Sequence, residues 1–303
     1  MPIGGSRGTL ERTAATVDTG LLGRLIPGDH VCWLVDDQGI RDDGTAAYVR
    51  AGLTKHHKVM YCGDDPDEVI AGLEARGVHT GAALSSGQLR VSTAEATYLA
   101  GGYFDAEATI DDWRQQSARA RTEGYRGLRA LGDMSWASRS VPGADRLPWY
   151  EAQVNRIFAD GFAMGICLYD RRLFPPAALQ HFTASHPGLI SPETGGGQAP
   201  LLHVRRTVDP PGLRLLGEAD LSNRRALCAV IEHLLDDADT TGRPLTIDVS
   251  ELRFADGETA RILVRAASRS RGLRMVGCSR SMTRLLAFHG ADTIPGLSVE
   301  TAP

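Results

Sequence analysis

The sequence predicts an α/β protein in two parts: a parallel sheet covered by helices on both faces, then a smaller α/β domain. Three observations predict it. Five short apolar segments alternate with helical stretches as far as residue 188, the pattern of a parallel sheet with crossover helices. Ser191 to Pro200, rich in Gly, Pro and small polar residues, then interrupts that pattern as a linker would. A second, shorter run of strands and helices follows. At 303 residues the chain is long for one domain and comfortable for two. The expected boundaries are 1–19 for a loose leader, 20–188 for the first domain, 189–200 for the linker and 201–303 for the second domain.

In chain order, Val31 to Val35 reads as a buried strand, Asp36 to Gly44 as a loop and Thr45 to His56 as a helix. Lys58 to Cys62 is the second strand, and Pro66 fits the first turn of a helix that runs to Arg76. Gln88 to Val91 is the third strand. Asp105 caps a long helix to Glu123. Leu128 to Leu131 is the fourth strand, apolar enough to be central. A loop spans Val141 to Pro148, a helix Tyr150 to Ala159, a fifth strand Ala163 to Leu168 and a closing helix Pro175 to Ala184. After the linker, Leu201 to Thr207 and Leu213 to Glu218 form a hairpin around Asp209 to Gly212. Ser222 caps a helix from Arg224 to Ala238, with Leu227, Val230, Ile231, Leu234 and Leu235 on one face. Leu245 to Val249, Leu273 to Val276 and Leu297 to Val299 are strands. Two helices lie between them, one entered at Asp256 and running to Arg271, the other from Met282 to Phe288.

Hydrophobic residues make up 42% and charged residues 23% of the chain, as in a globular protein with real cores. Net charge is −4 and pI about 6.1, so nothing drives the chain toward nucleic acid or an anionic membrane. Lys55 and Lys58 are the two lysines among 33 basic residues, a composition bias rather than a binding signal. The five cysteines are widely spaced with no C-x-x-C, so neither a disulfide framework nor a zinc finger is readable, and a cytoplasmic location fits. No signal peptide and no apolar run of roughly 20 residues is visible.

In an open parallel sheet, ligands bind beyond the carboxyl ends of the strands. Asp36 and Asp37, Asp64 and Asp65, Glu95, Asp133 and Asp170 follow the five strands in turn, which would make that edge acidic. Arg139, Arg171 and Arg172 could neutralise part of it, and Asp is also the common residue of turns and caps. Asp133 with Trp136 sets an acceptor beside a large flat ring. Gly39 and Gly44 have the spacing of a phosphate-binding loop, but Thr45 and Ala46 replace its Lys and its hydroxyl, and two Asp stand where amides should meet anions. A working nucleotide-hydrolysis site is not expected. His30 and Cys32 share one face of a strand. With Cys62, Cys167 and Asp133 they suggest a pocket for a metal or small ligand, although the spacing matches no established zinc pattern. Tyr98, Trp136, Tyr150 and Tyr169 could wall such a pocket or fill a core.

The blocks H-V-C-W-L-V, K-V-M-Y-C-G-D-D, S-G-Q-L-R-V-S-T-A-E-A-T-Y, G-L-R-A-L-G-D-M-S-W-A, Y-E-A-Q-V-N and C-L-Y-D-R-R-L-F, in that order, resemble the MEDS sensory domain over about residues 20 to 188. The resemblance implies a RecA-like fold without a working phosphate loop, and a non-catalytic sensor of small, one-carbon or hydrocarbon-derived molecules. The His and Cys tied to sensing in that family match His30 and Cys167, and its usual Glu is Asp133 here. The expected ligand-binding set is His30, Cys32, Tyr98, Asp133, Trp136, Glu151, Cys167, Tyr169 and Asp170. No cofactor is expected; a metal between His30 and Cys167 is the alternative kept open.

L-R-L-L-G-E-A-D-L, T-I-D-V-S-E-L-R-F-A-D-G and V-G-C-S-R-S-M-T-R-L-L-A-F-H-G resemble the STAS domain of anti-sigma-factor antagonists, from about residue 200 to 300. That family carries D-S-S or D-S-T where a kinase phosphorylates a hydroxyl at a helix start. Here Asp256 is followed by Gly257 and Glu258, which cannot take a phosphate, so a site displaced to Thr259 is the remaining candidate. Glu258 puts a fixed charge near a helix N-terminus, either as a mimic of phosphate or as a good first-turn residue. Arg261, Arg265 and Arg269, four apart, form a basic stripe, joined by Arg280 and Arg284. The expected docking set is Asp256, Gly257, Glu258, Thr259, Arg261 and Arg265, with an anti-sigma factor or related kinase as partner, a homo-oligomer open, and no nucleic acid or membrane contact. The rivals are a RecA-like nucleotide hydrolase using Asp133 or Asp170 and a non-sensing scaffold in a stress-signalling assembly.

Overall fold

The computed structural model describes residues 20–192, 202–241 and 243–302. The leader expected at 1–19 and residues 193–200 of the expected linker lie outside the described residues. The first sheet holds β1 (His30–Val35), β2 (Lys58–Gly63), β3 (Leu89–Thr93), β4 (Leu128–Asp133), β5 (Ala163–Asp170) and β6 (Gly188–Ile190). They lie in the order β3-β2-β4-β5-β1-β6, every pair parallel. Strands β1, β2, β4 and β5 are buried at every residue, which is why they read as unbroken apolar runs rather than alternating ones. The sixth strand corrects the expected boundary: Leu189 and Ile190, assigned to the linker, pair with Cys32 and Trp33.

Helices cover both faces. On one side α1 (Gly20–Arg24), α2 (Gln38–Thr54) and α3 (Pro66–Ala75) pack on Val31, Trp33, Val59, Leu131, Ile166 and Leu168. The short α4 (Gly81–Ser85) and α5 (Ala94–Thr97) flank β3. On the other side α6 (Ala106–Thr122), α7 (Leu147–Gln153), α8 (Asn155–Phe158) and α9 (Pro176–Thr183) pack on Cys32, Cys62, Ala130, Cys167 and Tyr169. Asp105 caps α6, accepting from the Ala108 amide, as the sequence predicts.

The largest departure is at α2. The segment expected as a loop, 36–44, is helical from Gln38, because Asp37 accepts from the Ile40 amide and starts the helix seven residues early. Gly39 and Gly44 therefore lie on helical turns, and no phosphate loop exists between β1 and Thr45. Gly44 has another reason to be glycine: a Cβ there would stand 2.4 Å from the Trp33 ring and 2.7 Å from Leu22.

The second sheet holds β7 (Leu202–Val208), β8 (Pro211–Ala219), β9 (Leu245–Ala255), β10 (Leu273–Cys278) and β11 (Leu297–Thr301), in the order β11-β10-β9-β8-β7. Only the β7–β8 hairpin is antiparallel. Helices α10 (Arg224–Thr241), α11 (Gly257–Arg269) and α12 (Arg280–Phe288) complete the domain. The apolar stripe of α10 is buried against this core as expected, at Leu227, Val230, Ile231, Leu234 and Leu235. The Ser222 hydroxyl bonds to Asp220 rather than capping the helix.

Strand β7 is an edge strand, and the first domain covers it. The Leu202 amide donates to the Pro187 carbonyl and the Arg206 amide to the Ala159 carbonyl. Between them His203 Nδ1 donates to the Asp29 carboxylate, and α10 packs on α7 and α8. Backbone pairing of an open edge blocks non-native association there and fixes the register of the two domains.

Candidate functional site

On the α7–α8 face of the first sheet, four buried side chains converge from separate elements: His30 of β1, Cys167 of β5, Glu151 of α7 and His186 beyond α9. Their ligating atoms all lie within 4.8 Å of one another. Parallel pairing sets this up. His30 is in register with Gly165, two residues before Cys167, and its ring reaches along β5 to Cys167, Nε2 to Sγ at 3.3 Å. Glu151 Oε2 is 3.5 Å from His30 Nε2 and 3.3 Å from both His186 Nε2 and Cys167 Sγ. Its other oxygen accepts from the Tyr169 hydroxyl at 2.5 Å.

The outer contacts orient both rings. Asn155 Nδ2 donates to the carbonyls of Glu151, Ala152 and Ser185, which leaves Asn155 Oδ1 to accept from His30 Nδ1 at 2.9 Å. The Phe182 carbonyl accepts from His186 Nδ1 at 2.8 Å. Both rings thus spend Nδ1 outward and turn Nε2 into the cluster. His186 Nε2 is buried there, 3.3 Å from Glu151 Oε2 but outside hydrogen-bond geometry. Burial, then the neighbouring His186, lowers the His30 pKa to about 3. Burial and then Glu151 push the Cys167 thiol well up. Burial alone would raise the Glu151 carboxyl, but His186, His30 and the Tyr169 hydroxyl hold it below its ordinary range.

Of the expected ligand-binding residues, His30, Glu151, Cys167 and Tyr169 are brought together. Cys32 lies beside them, in register with Cys167, but outside the four. Tyr98 and Trp136 stack 5.4 Å apart on the same sheet face, with Phe104 and Tyr150 behind them, as an aromatic wall. Tyr98 also lines a cleft of about 470 Å³ with Tyr103, Arg90 and Gln116.

Asp133 and Asp170 do not join this site. Each ends its strand on the opposite sheet face. Arg41 ion-pairs with Asp133, which also accepts from Tyr61 and Ser135, and Arg172 grips Asp170 with a forked pair of bonds. The other strand-end carboxylates are answered too: Arg139 reaches Asp64 and Glu95, and Arg171 reaches Asp36. The place beside Asp133 expected for a ligand is taken by the Arg41 guanidinium and the Tyr61 hydroxyl. Sequence reasoning missed Arg41 because it placed that residue in a loop. It missed His186 because a His in a turn carries no periodic signal. It missed Asn155 as well, whose part here is to hold His30 Nδ1 from the start of α8.

In the second domain, Asp256 caps α11 by accepting from the Thr259 amide at 2.8 Å. Thr259 is 1% exposed and its hydroxyl donates to the Ala219 carbonyl, so the displaced phosphorylation site is not available. Glu258 pairs with Arg261, and Arg269 approaches Glu232. Arg265 remains exposed between them. The expected basic stripe is therefore partly compensated by its own neighbours.

A helix-covered parallel sheet with a buried polar cluster, docked by backbone bonds onto a small mixed sheet, defines a two-domain α/β protein. The chain belongs to the MEDS family: the model described as the methanogen/methylotroph, DcmR sensory domain matches residues 29–187. A second model, described as the Mlab, STAS domain, matches residues 202–298. Among solved structures, the chain is similar to the flagellar accessory protein FlaH from Methanocaldococcus jannaschii. Identity is 14%, over 64% of this chain and 80% of that one, and the TM-score of 0.39 is too low to carry an argument. No curated protein matches the chain. No helix among the described residues is long and apolar enough to cross a membrane.

Proposed function

We propose that the chain is a cytoplasmic signalling regulator that performs no reaction itself. Its first domain senses a small molecule, and its second passes the state on by protein contact as an anti-anti-sigma-like module. The observation that carries this reading is the adjacency of Asp29 and His30. His30 turns into the buried cluster, while Asp29, one residue before it, holds His203 of β7. Asn155, which orients His30, stands four residues before Ala159, whose carbonyl accepts from Arg206. Glu151 sits on α7, which packs on α10. A change at the cluster thus has short, packed routes into the second domain, and a ligand that prefers one arrangement would shift both.

A thermal-shift screen of small metabolites against the full chain tests the sensing claim. Stabilisation should grow with concentration, reaching about 2.7 kcal/mol at a hundredfold excess over Kd. Glu151→Gln should abolish it. A compound whose shift survives Glu151→Gln would place sensing elsewhere.

The proposed partner is an anti-sigma factor or a related kinase, meeting the second domain at the start of α11 and at Arg261 and Arg265. With Thr259 buried, a kinase that modifies this helix start finds no hydroxyl. Gly257 offers space for one, since a Cβ there meets only His289, at 3.6 Å. Gly257→Ser should therefore be phosphorylated in cells that hold such a kinase while the wild-type chain is not, as read by intact mass. Phosphate on Thr259 of the wild-type chain would contradict this.

A further inference from the structure

We propose that His30, Glu151, Cys167 and His186 form a mononuclear site for a divalent transition metal of the zinc class. This deepens the sensory reading of the same cluster but stands on coordination geometry. Bonds of about 2.0–2.3 Å in a tetrahedron place neighbouring ligand atoms about 3.3–3.8 Å apart. Four of the six edges of this cluster measure 3.3, 3.5, 3.3 and 3.3 Å. The donor set, two imidazoles, one carboxylate and one thiolate, is one that zinc accepts and that calcium or magnesium does not.

Two further observations point to a cation. The first is His186 Nε2, fully buried and facing the Glu151 carboxylate at 3.3 Å without hydrogen-bond geometry. The second is the direction of the outer hydrogen bonds. An amide oxygen holds His30 and a backbone carbonyl holds His186 through Nδ1, the arrangement that fixes ligating histidines elsewhere, and the Tyr169 hydroxyl holds Glu151 in the same way. Those bonds commit both Nε2 atoms inward, against a buried carboxylate and a thiol. An ion at the centre would meet all four at once and draw the proton from the thiol. The ligands come from β1, α7, β5 and the turn after α9, so an ion there also ties the sheet to its covering helices and lies one residue from the domain contact at Asp29.

Metal-stripped full chain titrated with Co2+ provides the test. One equivalent should bind with the intense visible bands of a tetrahedral ion and a near-ultraviolet thiolate band, and Zn2+ should displace it. Cys167→Ser should keep the fold by circular dichroism and lose the thiolate band. Tyr169→Phe should weaken binding on the order of 10–100-fold, as loss of an outer hydrogen bond does, and His186→Gln should weaken it further. No bound Co2+, a faint octahedral spectrum, or binding unchanged in Cys167→Ser and His186→Gln would overturn the proposal. The readout is independent of signalling: a bound ion that leaves the second domain unaltered would remove the sensory reading and keep the site.

Discussion

Arg129→Ala is expected to cost the first domain about 3–5 kcal/mol, the range for truncating a large, fully buried side chain. Arg129 is fully buried in β4. Its guanidinium donates to the Leu25 carbonyl at 3.1 Å and to His57 Nδ1 at 3.3 Å, and lies over the Tyr48 ring at 4.8 Å. Truncation leaves a cavity and two buried acceptors without donors. Arg129→Lys should recover little, because a point charge cannot stack on Tyr48 and serve both acceptors. All four tryptophans, Trp33, Trp113, Trp136 and Trp149, lie in the first domain, so fluorescence-monitored denaturation reports that domain alone. A loss below about 1 kcal/mol, the size of a typical single hydrogen bond, would show that the contacts are dispensable.

Gly44→Val is expected to cost about 1–3 kcal/mol or more by overpacking. A side chain at 44 would push the Trp33 ring, whose nearest atoms lie 2.4 and 2.7 Å from an ideal Cβ, and Leu22 at 2.7 Å. Even Gly44→Ala, which gains about 1 kcal/mol of helix propensity, should be destabilising on balance, because neither neighbour is the free end of a flexible chain: both are buried. Trp33→Phe removes the two ring atoms in conflict and leaves Leu22, so the double variant should lose less than the sum of the singles. Additive losses would show that Gly44 serves something other than close approach.

How much of this was legible in the sequence follows from what periodicity can and cannot encode. Strands such as Val31–Val35 and Leu128–Leu131 announce themselves because both their faces are buried. The stripe of α10 announces itself because one face is. The start of α2 did not, since Gly39 and Gly44 have the spacing of a phosphate loop, whereas a single cap at Asp37 and the packing need at Gly44 favour a helix. The site was half legible. His30, Glu151, Cys167 and Tyr169 were named, but Asp133 and Asp170 were grouped with them on the rule that ligands sit at strand ends. Strand parity decides otherwise. Residues of β4 and β5 alternate between faces, so Asp133 and Asp170 fall on the Arg41 side while Cys167 and Tyr169 fall on the α7 side. That alternation can be read from sequence once the strands are placed; the position of His186 cannot.

The two domains meet through backbone bonds that β7 donates to the first domain, and that makes the coupling measurable. Amide hydrogen exchange across Leu202–Val208 and α10, in the full chain carrying Glu151→Gln, is the most direct measurement. Glu151 touches no residue of the second domain by any described bond, yet it sits on the helix that α10 packs against. The account predicts that removing its charge alters protection in β7 and α10. Exchange in both segments identical to wild type, with the first domain still folded, would contradict it.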